Sequence, residues 1–186
     1  MKQFQFDYHS ITSLTRDLEK VRLWYKSKSC SNVVFQIYSD SLDRGQMELV
    51  SNVITRTIPH AIYMGCSTNG NIVEGRLSSA TISIVCTILE TTKVKLLQYT
   101  LNGETALEVV ENIKREVKEN PWVKAVELQL TIQGMSLSPL CDALHDVDES
   151  IAIFGGGAFN PDLSKNDACV FSNVGGGIRN GESLSF

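Results

Sequence analysis

The sequence predicts an α/β fold in which helices pack on a mixed β-sheet. Segments whose apolar residues have helical spacing alternate with short apolar or strictly alternating segments along most of the chain. A strand-helix-strand start covers residues 32–65, and a right-handed crossover between parallel strands is the usual connection in such a unit. Residues 81–101 consist of two strand-like segments on either side of a polar centre. This pattern predicts a hairpin, which adds an antiparallel part to the sheet.

Two helices in the first third of the chain follow from capping signals and periodicity. Ser10 or Thr12 is placed to cap a helix, because the apolar residues that follow recur at helical spacing. The apolar face of this helix consists of Ile11, Leu14, Leu18, Val21 and Tyr25. Asp43 and Gln46 have the spacing of a capping box, and the second helix that they begin ends at Pro59.

The second half of the chain predicts a hairpin, two further helices and three strands. Residues 81–88 and 94–101 form the two arms of the hairpin, joined by the polar residues 90–93. The helices are expected over residues 107–117 and 140–147, and the strands at residues 126–132, 151–154 and 168–171.

Composition excludes several classes of function for this chain of 186 residues. The chain has a net charge of −4 and lacks the basic stripe that nucleic-acid binding needs, so we expect no nucleic-acid partner. No apolar window approaches the roughly 18 residues of a membrane-spanning helix, and the first residues do not form a signal peptide. The five cysteines are widely spaced and form no CxxC pair, so we expect no metal and no cofactor. Scattered thiols in a chain without an export signal predict a cytoplasmic protein.

One segment combines glycines with small polar side chains where a predicted strand ends. The apolar residues 61–64 lead directly into Gly65-Cys66-Ser67-Thr68-Asn69-Gly70. The two glycines let the backbone approach a ligand closely, and the side chains between them form hydrogen bonds without carrying a fixed charge. We therefore predict a recognition loop for a small polar molecule. The predicted contacts in this loop are Gly65, Cys66, Ser67, Thr68 and Gly70.

This loop resembles the signature of the FIST N-terminal domain, a bacterial sensory input domain of signal transduction proteins. Residues 151–158 resemble the strand and glycine turn of that family, and residues 167–171 resemble its next strand. The resemblance adds Gly155, Gly156 and Gly157 to the predicted ligand contacts. Because ligands of open α/β sheets bind beyond the carboxyl ends of the strands, we expect both glycine segments at the same edge of the sheet.

The resemblance implies a non-catalytic sensory input domain that binds a small polar metabolite, with amino acids as a candidate class. It further implies that residues 1–186 are one sensory domain, the N-terminal part of a longer protein with a C-terminal partner domain and a signalling output domain. Residues 171–186 include apolar side chains that such a partner would cover, so we expect this chain either to self-associate through its last strand or to leave that strand poorly ordered.

Two other classes of function predict different sites. A thiol-dependent hydrolase would use Cys66 and needs a base within reach. His60 lies at the opposite end of the predicted strand and His145 lies late in a helix, so neither suggests a catalytic pair. A protein-interaction scaffold would instead expose an apolar patch and lack a pocket.

Overall fold

The computed structural model describes residues 1–27, 32–41, 43–73, 75–100, 106–131, 137–160, 168–174, 177–180 and 183–185. Within these ranges the chain forms helices and strands in an alternating order. The helices are α1 (Ile11–Lys26), α2 (Arg44–Thr57), α3 (Ala106–Glu119) and α4 (Leu137–His145). The strands are β1 (Lys2–Asp7), β2 (Asn32–Ser39), β3 (Ile62–Ser67), β4 (Ile72–Val73), β5 (Arg76–Leu77), β6 (Ile82–Leu89), β7 (Gln98–Thr100), β8 (Ala125–Thr131), β9 (Ala152–Ala158), β10 (Cys169–Ser172), β11 (Gly177–Asn180) and β12 (Ser183–Ser185).

The strands form two larger sheets and one short ribbon. Sheet 1 has the order β1-β6-β2-β3-β10-β11, sheet 2 has the order β7-β12-β8-β9, and β4 pairs with β5. The pairs β2–β3 and β8–β9 are parallel, and the other described pairs are antiparallel. The predicted α/β class with a mixed sheet is therefore confirmed, as is the strand-helix-strand unit β2-α2-β3.

Each sheet has helices on one face and the other sheet on its second face. Along β2, the side chains of Val33, Phe35 and Ile37 enter a core that they share with α1 and α2. The intervening Gln36 points the other way and bonds to Glu127 of β8. A second core joins β8 to α3 and includes Ile113. The result is a four-layer arrangement in which the two sheets lie between two pairs of helices.

The helix starts follow the capping signals in the sequence. Ser10 caps α1, since its Oγ accepts a hydrogen bond from the Ser13 backbone N–H at 3.1 Å. Asp43 caps α2 in the same way, with its Oδ1 accepting from the Gln46 backbone N–H at 3.1 Å. These bonds satisfy backbone donors that have no partner within the helix.

The predicted hairpin is wrong. Residues 92–97 have no regular structure, and β7 pairs with β12 in sheet 2 instead of with β6. Strand β6 lies between β1 and β2, so β1 occupies the edge that the second arm of the hairpin would have used. Alternation predicted β6 correctly, but alternation identifies a strand without identifying its neighbours.

Other boundaries also differ from expectation. The strand β3 continues through residues 65–67, and β9 continues through residues 155–157, so neither glycine segment begins as a loop. The strands β1, β11 and β12 were not predicted. Leu101 and Ile132, which were expected to extend two strands, lie outside the described residues.

A buried and an exposed residue of α3 allow the packing of this helix in the second core to be tested. Ile113 of α3 is fully buried, whereas Leu107, which the periodicity placed on the same apolar stripe, is 71% exposed. We expect Ile113→Ala to lower the free energy of unfolding by about 2–5 kcal/mol, because it leaves a cavity in the core. Leu107→Ala should change it by about 0.5 kcal/mol or less. Urea unfolding of both variants checks this, and equal losses would contradict the position of α3.

Candidate functional site

The absence of a side chain at Gly65 lets β10 pack directly against β3. Phe171 pairs with Gly65 across the two strands, and its buried ring lies against the position where a Cβ would be. A Cβ at Gly65 would lie 2.6 Å from the carbonyl oxygen of Ile37 and closer still to the Phe171 ring. Packing against a neighbouring strand therefore explains this glycine without a ligand.

Ser67 connects three strands at the carboxyl end of β3. Its side chain is 1% exposed, and its Oγ accepts a hydrogen bond from the Cys169 backbone N–H at 3.0 Å. Its carbonyl oxygen accepts from the Phe159 backbone N–H, just beyond β9, at 2.8 Å. The carboxyl ends of β3 and β9 therefore meet, although the two strands belong to different sheets.

The turn after β3 is held by hydrogen bonds to the end of β2 and within the turn itself. The Thr68 backbone N–H donates to the Ser39 carbonyl oxygen at 2.7 Å, and the Thr68 Oγ1 accepts from the Gly70 N–H at 3.3 Å. Gly70 has a φ of 132°, a conformation that residues with a Cβ rarely adopt. Thr68 is half-buried, so of the two hydroxyls predicted to bind a ligand it is the more accessible one.

Cys66 lies in an apolar environment that does not activate a thiol. It is 6% exposed and packs with Ala158, Ala168 and Val170. Burial, together with the nearby Cys169 and Glu127, raises the pKa of Cys66 to about 12. A nucleophilic cysteine requires the opposite shift, which a nearby cation or helix N-terminus produces. The environment of Cys66 therefore disfavours the thiol-hydrolase hypothesis.

The glycines of β9 differ from one another. A Cβ at Gly155, whose φ is 126°, would overlap the backbone of Leu128 on the neighbouring strand β8. Gly156 has open space around the position of a Cβ, and Gly156 and Gly157 are both exposed on this edge strand of sheet 2. Gly155 thus has a packing role, whereas Gly156 has no steric requirement for glycine.

A cavity of about 420 Å³ lies between the two sheets. Its walls come from one face of β1, β6, β2 and β3, from the start of β8, from the end of α3, and from residues 92–97, which we call the strap. The apolar wall includes Ile62, Met64, Leu89, Trp122, Val126 and Phe154. Because both sheets contribute, a molecule in this cavity would contact both halves of the fold.

Two polar pairs lie at the cavity. Gln36 Nε2 donates a hydrogen bond to Glu127 Oε1 at 2.6 Å, and this bond connects β2 of sheet 1 to β8 of sheet 2. Lys95 of the strap forms a salt bridge with Glu116 of α3. An apolar wall with a few fixed polar groups is the usual composition of a small-molecule site.

None of the eight residues predicted as ligand contacts lines this cavity. Met64 does, but the cavity lies toward the amino end of β3, whereas the predicted contacts follow toward its carboxyl end. The structure therefore brings the ends of the two glycine segments together and places the cavity elsewhere. That the glycine segments bind a ligand stays a prediction.

Gln36 and Glu127 of the cavity were not among the residues predicted from the sequence, although a signal was present. Gln36 interrupts the apolar run of a strand that was predicted to be buried. A polar side chain inside such a run needs a hydrogen-bond partner, so its presence indicates a contact with another element of the fold. Glu127 alternates with the apolar residues of the predicted strand at 126–132, as a solvent-facing side chain also would.

No group of three or more His, Cys, Asp or Glu side chains in the described ranges is placed to hold a metal ion. None of the described helices is long and apolar enough to cross a membrane.

Gly65 and Gly156 allow a matched test of the close contact between β3 and β10. We expect Gly65→Ala to lower the free energy of unfolding by about 1–3 kcal/mol or more, because the added methyl group must displace Phe171 or the Ile37 backbone. Gly156→Ala adds the same methyl group into open space and should have a much smaller effect. Thermal and urea unfolding measure the difference. A destabilisation at Gly65 no larger than that at Gly156 would contradict the close approach of β10.

The raised pKa of Cys66 predicts slow alkylation in the folded protein. A thiol whose pKa is about 12 is ionised in only about one molecule in ten thousand at pH 8. We expect iodoacetamide to modify the half-buried Cys141 well before Cys66, as measured by mass spectrometry of peptides. Unfolding in urea should remove the difference, and rapid labelling of Cys66 in the native protein would reopen the enzyme hypothesis.

The comparisons with known proteins agree with the fold and the resemblance. A model of the FIST N domain family matches residues 33–181, which is most of the chain. Neither a curated protein nor a solved structure matches the chain. The matched range extends from β2, whose Gln36 lines the cavity, to the end of β11, and it contains both glycine segments. The chain therefore belongs to the FIST N domain family, a family of sensory domains in signal transduction proteins.

Proposed function

We propose that this sensory domain binds a small molecule in the cavity between its two sheets and does so without catalysis. The observation that carries this proposal is the cavity itself. Its volume of about 420 Å³ falls within the range of small-molecule sites, which is about 300–1,000 Å³. The buried, unactivated thiol of Cys66 supports the non-catalytic part of the proposal.

The position of the cavity suggests how binding is passed on. The strap and the Gln36–Glu127 pair both line the cavity. The strap is linked to α3 through the Lys95–Glu116 salt bridge, and the Gln36–Glu127 hydrogen bond links the two sheets. A ligand that binds one arrangement of the two sheets more tightly shifts the population toward that arrangement. We propose that a C-terminal partner domain and a signalling output domain of the same protein respond to this shift.

A small polar metabolite with an apolar portion has both kinds of group that the cavity offers to a ligand. A cytoplasmic location also belongs to the proposal. Its support is that Cys66, Cys86, Cys141 and Cys169 form no disulfide within the described part of the chain.

A metabolite screen by thermal shift tests the proposal. A ligand that binds only the folded state, at a hundred times its Kd, should stabilise the protein by about 2.7 kcal/mol. Ala125→Phe places a ring at the cavity wall, where it should block ligand binding. Because Ala125 is exposed, replacing it should disturb little of the core packing. We expect compounds that stabilise the natural protein to lose their effect on this variant.

Lys124→Phe is the control, because it adds a ring one residue earlier, at an exposed position that does not line the cavity. This variant should respond to the same compounds as the natural protein does. The proposal fails if no metabolite stabilises the protein, or if the compounds that do act on Ala125→Phe equally well.

A further inference from the structure

Glu127 is a carboxylate at the proposed ligand cavity that has no cationic partner among the described residues. Its side chain is half-buried, and one of its oxygens accepts the hydrogen bond from Gln36 Nε2 at 2.6 Å. Among the described residues, no Lys, Arg or His side chain forms an ion pair with it. A partly desolvated carboxylate with a single amide donor is poorly compensated, so a cation at this position would be favourable.

The other charged groups at the cavity do not compensate Glu127. Lys95 of the strap is paired with Glu116 of α3. Lys93, also in the strap, is exposed. A cationic ligand group therefore has a partner at Glu127, whereas an anionic group would meet that carboxylate.

The walls around Glu127 suit an apolar ligand body. Met64 and Val126 line the cavity with aliphatic surface, and Trp122 and Phe154 add aromatic side chains that are exposed on one side. Aromatic faces attract cations as well as apolar groups. The cavity thus offers one position for a positive charge and a larger area for hydrocarbon.

We propose that the cavity takes a cationic amine with an apolar body, whose ammonium group pairs with the carboxylate of Glu127. This inference rests on the proposed function, since it names the class of ligand for the same cavity. It separates amines from amino acids, because the carboxylate of a zwitterion would enter a cavity that already holds an uncompensated negative charge. Ligand binding then extends the Gln36–Glu127 contact between the sheets into a network of three groups.

Four probes of similar shape test the charge requirement. They are 2-phenylethylamine, 2-phenylethanol, 3-phenylpropanoate and phenylalanine, titrated at up to millimolar concentrations by calorimetry and by the fluorescence of Trp122. The amine should bind about ten- to a hundredfold more tightly than the alcohol, which is the effect expected of a hydrogen bond to a charged group. The two carboxylates should bind more weakly still.

Two variants, each of which removes one carboxylate of the cavity, test whether the preference for amines arises at Glu127. Glu127→Gln should weaken amine binding by about ten- to a hundredfold and leave alcohol binding nearly unchanged, because the amide keeps the shape and removes the charge. Glu116→Gln is the matched control, since Glu116 also lines the cavity but already has Lys95 as its partner. We expect it to change amine affinity by less than about threefold.

The results separate this inference from the proposed function. The inference is overturned if the amine fails to bind, if the alcohol or a carboxylate binds as tightly as the amine, or if Glu127→Gln binds the amine normally. In each of these cases the proposed function still stands if some other metabolite stabilises the natural protein but not Ala125→Phe. If no metabolite meets that criterion, the proposed function fails as well.

Discussion

The contact between Gly65 and Phe171 is the constraint on which the two-sheet arrangement depends. Because Gly65 has no side chain, β10 can lie beside β3 and Phe171 can complete the core under α1 and α2. The chain leaves β10 through β11 and then provides β12, which lies between β7 and β8 in the other sheet. This strand pairing therefore fixes one of the places where the chain passes from sheet 1 to sheet 2, and the cavity lies between the two sheets.

The sequence predicted the elements of this fold better than their partners. Apolar periodicity and capping residues identified the four helices, because these signals act within a few residues of one another. The hairpin failed because β6 alternates in the same way whichever strand lies beside it. Strand β1, with Phe4 and Phe6 separated by glutamine, carried the same alternating signal in fewer apolar residues and was not predicted.

The predicted site shows a similar division between local and distant information. Glycines and small polar residues correctly marked Gly65–Gly70 as unusual, but the reason at Gly65 is a strand more than a hundred residues further on, as the 102-residue separation of Ser67 and Cys169 illustrates. The polar pair of Gln36 and Glu127 is formed by residues 91 positions apart. No local pattern predicts such a pair, although a lone polar residue in a buried strand indicates that a partner exists.

The late position of β10 and β12 in the chain has a consequence for biosynthesis. Both sheets include strands from beyond residue 168, so neither can complete its hydrogen bonding until the ribosome has translated these residues. Until then, the edge of β3 and the apolar surface that Phe171 covers are exposed to other chains. Such long-range pairings form slowly, because the intervening loop must close first. The nascent protein therefore passes through a stage in which chaperones are the natural protection for the future junction between its sheets.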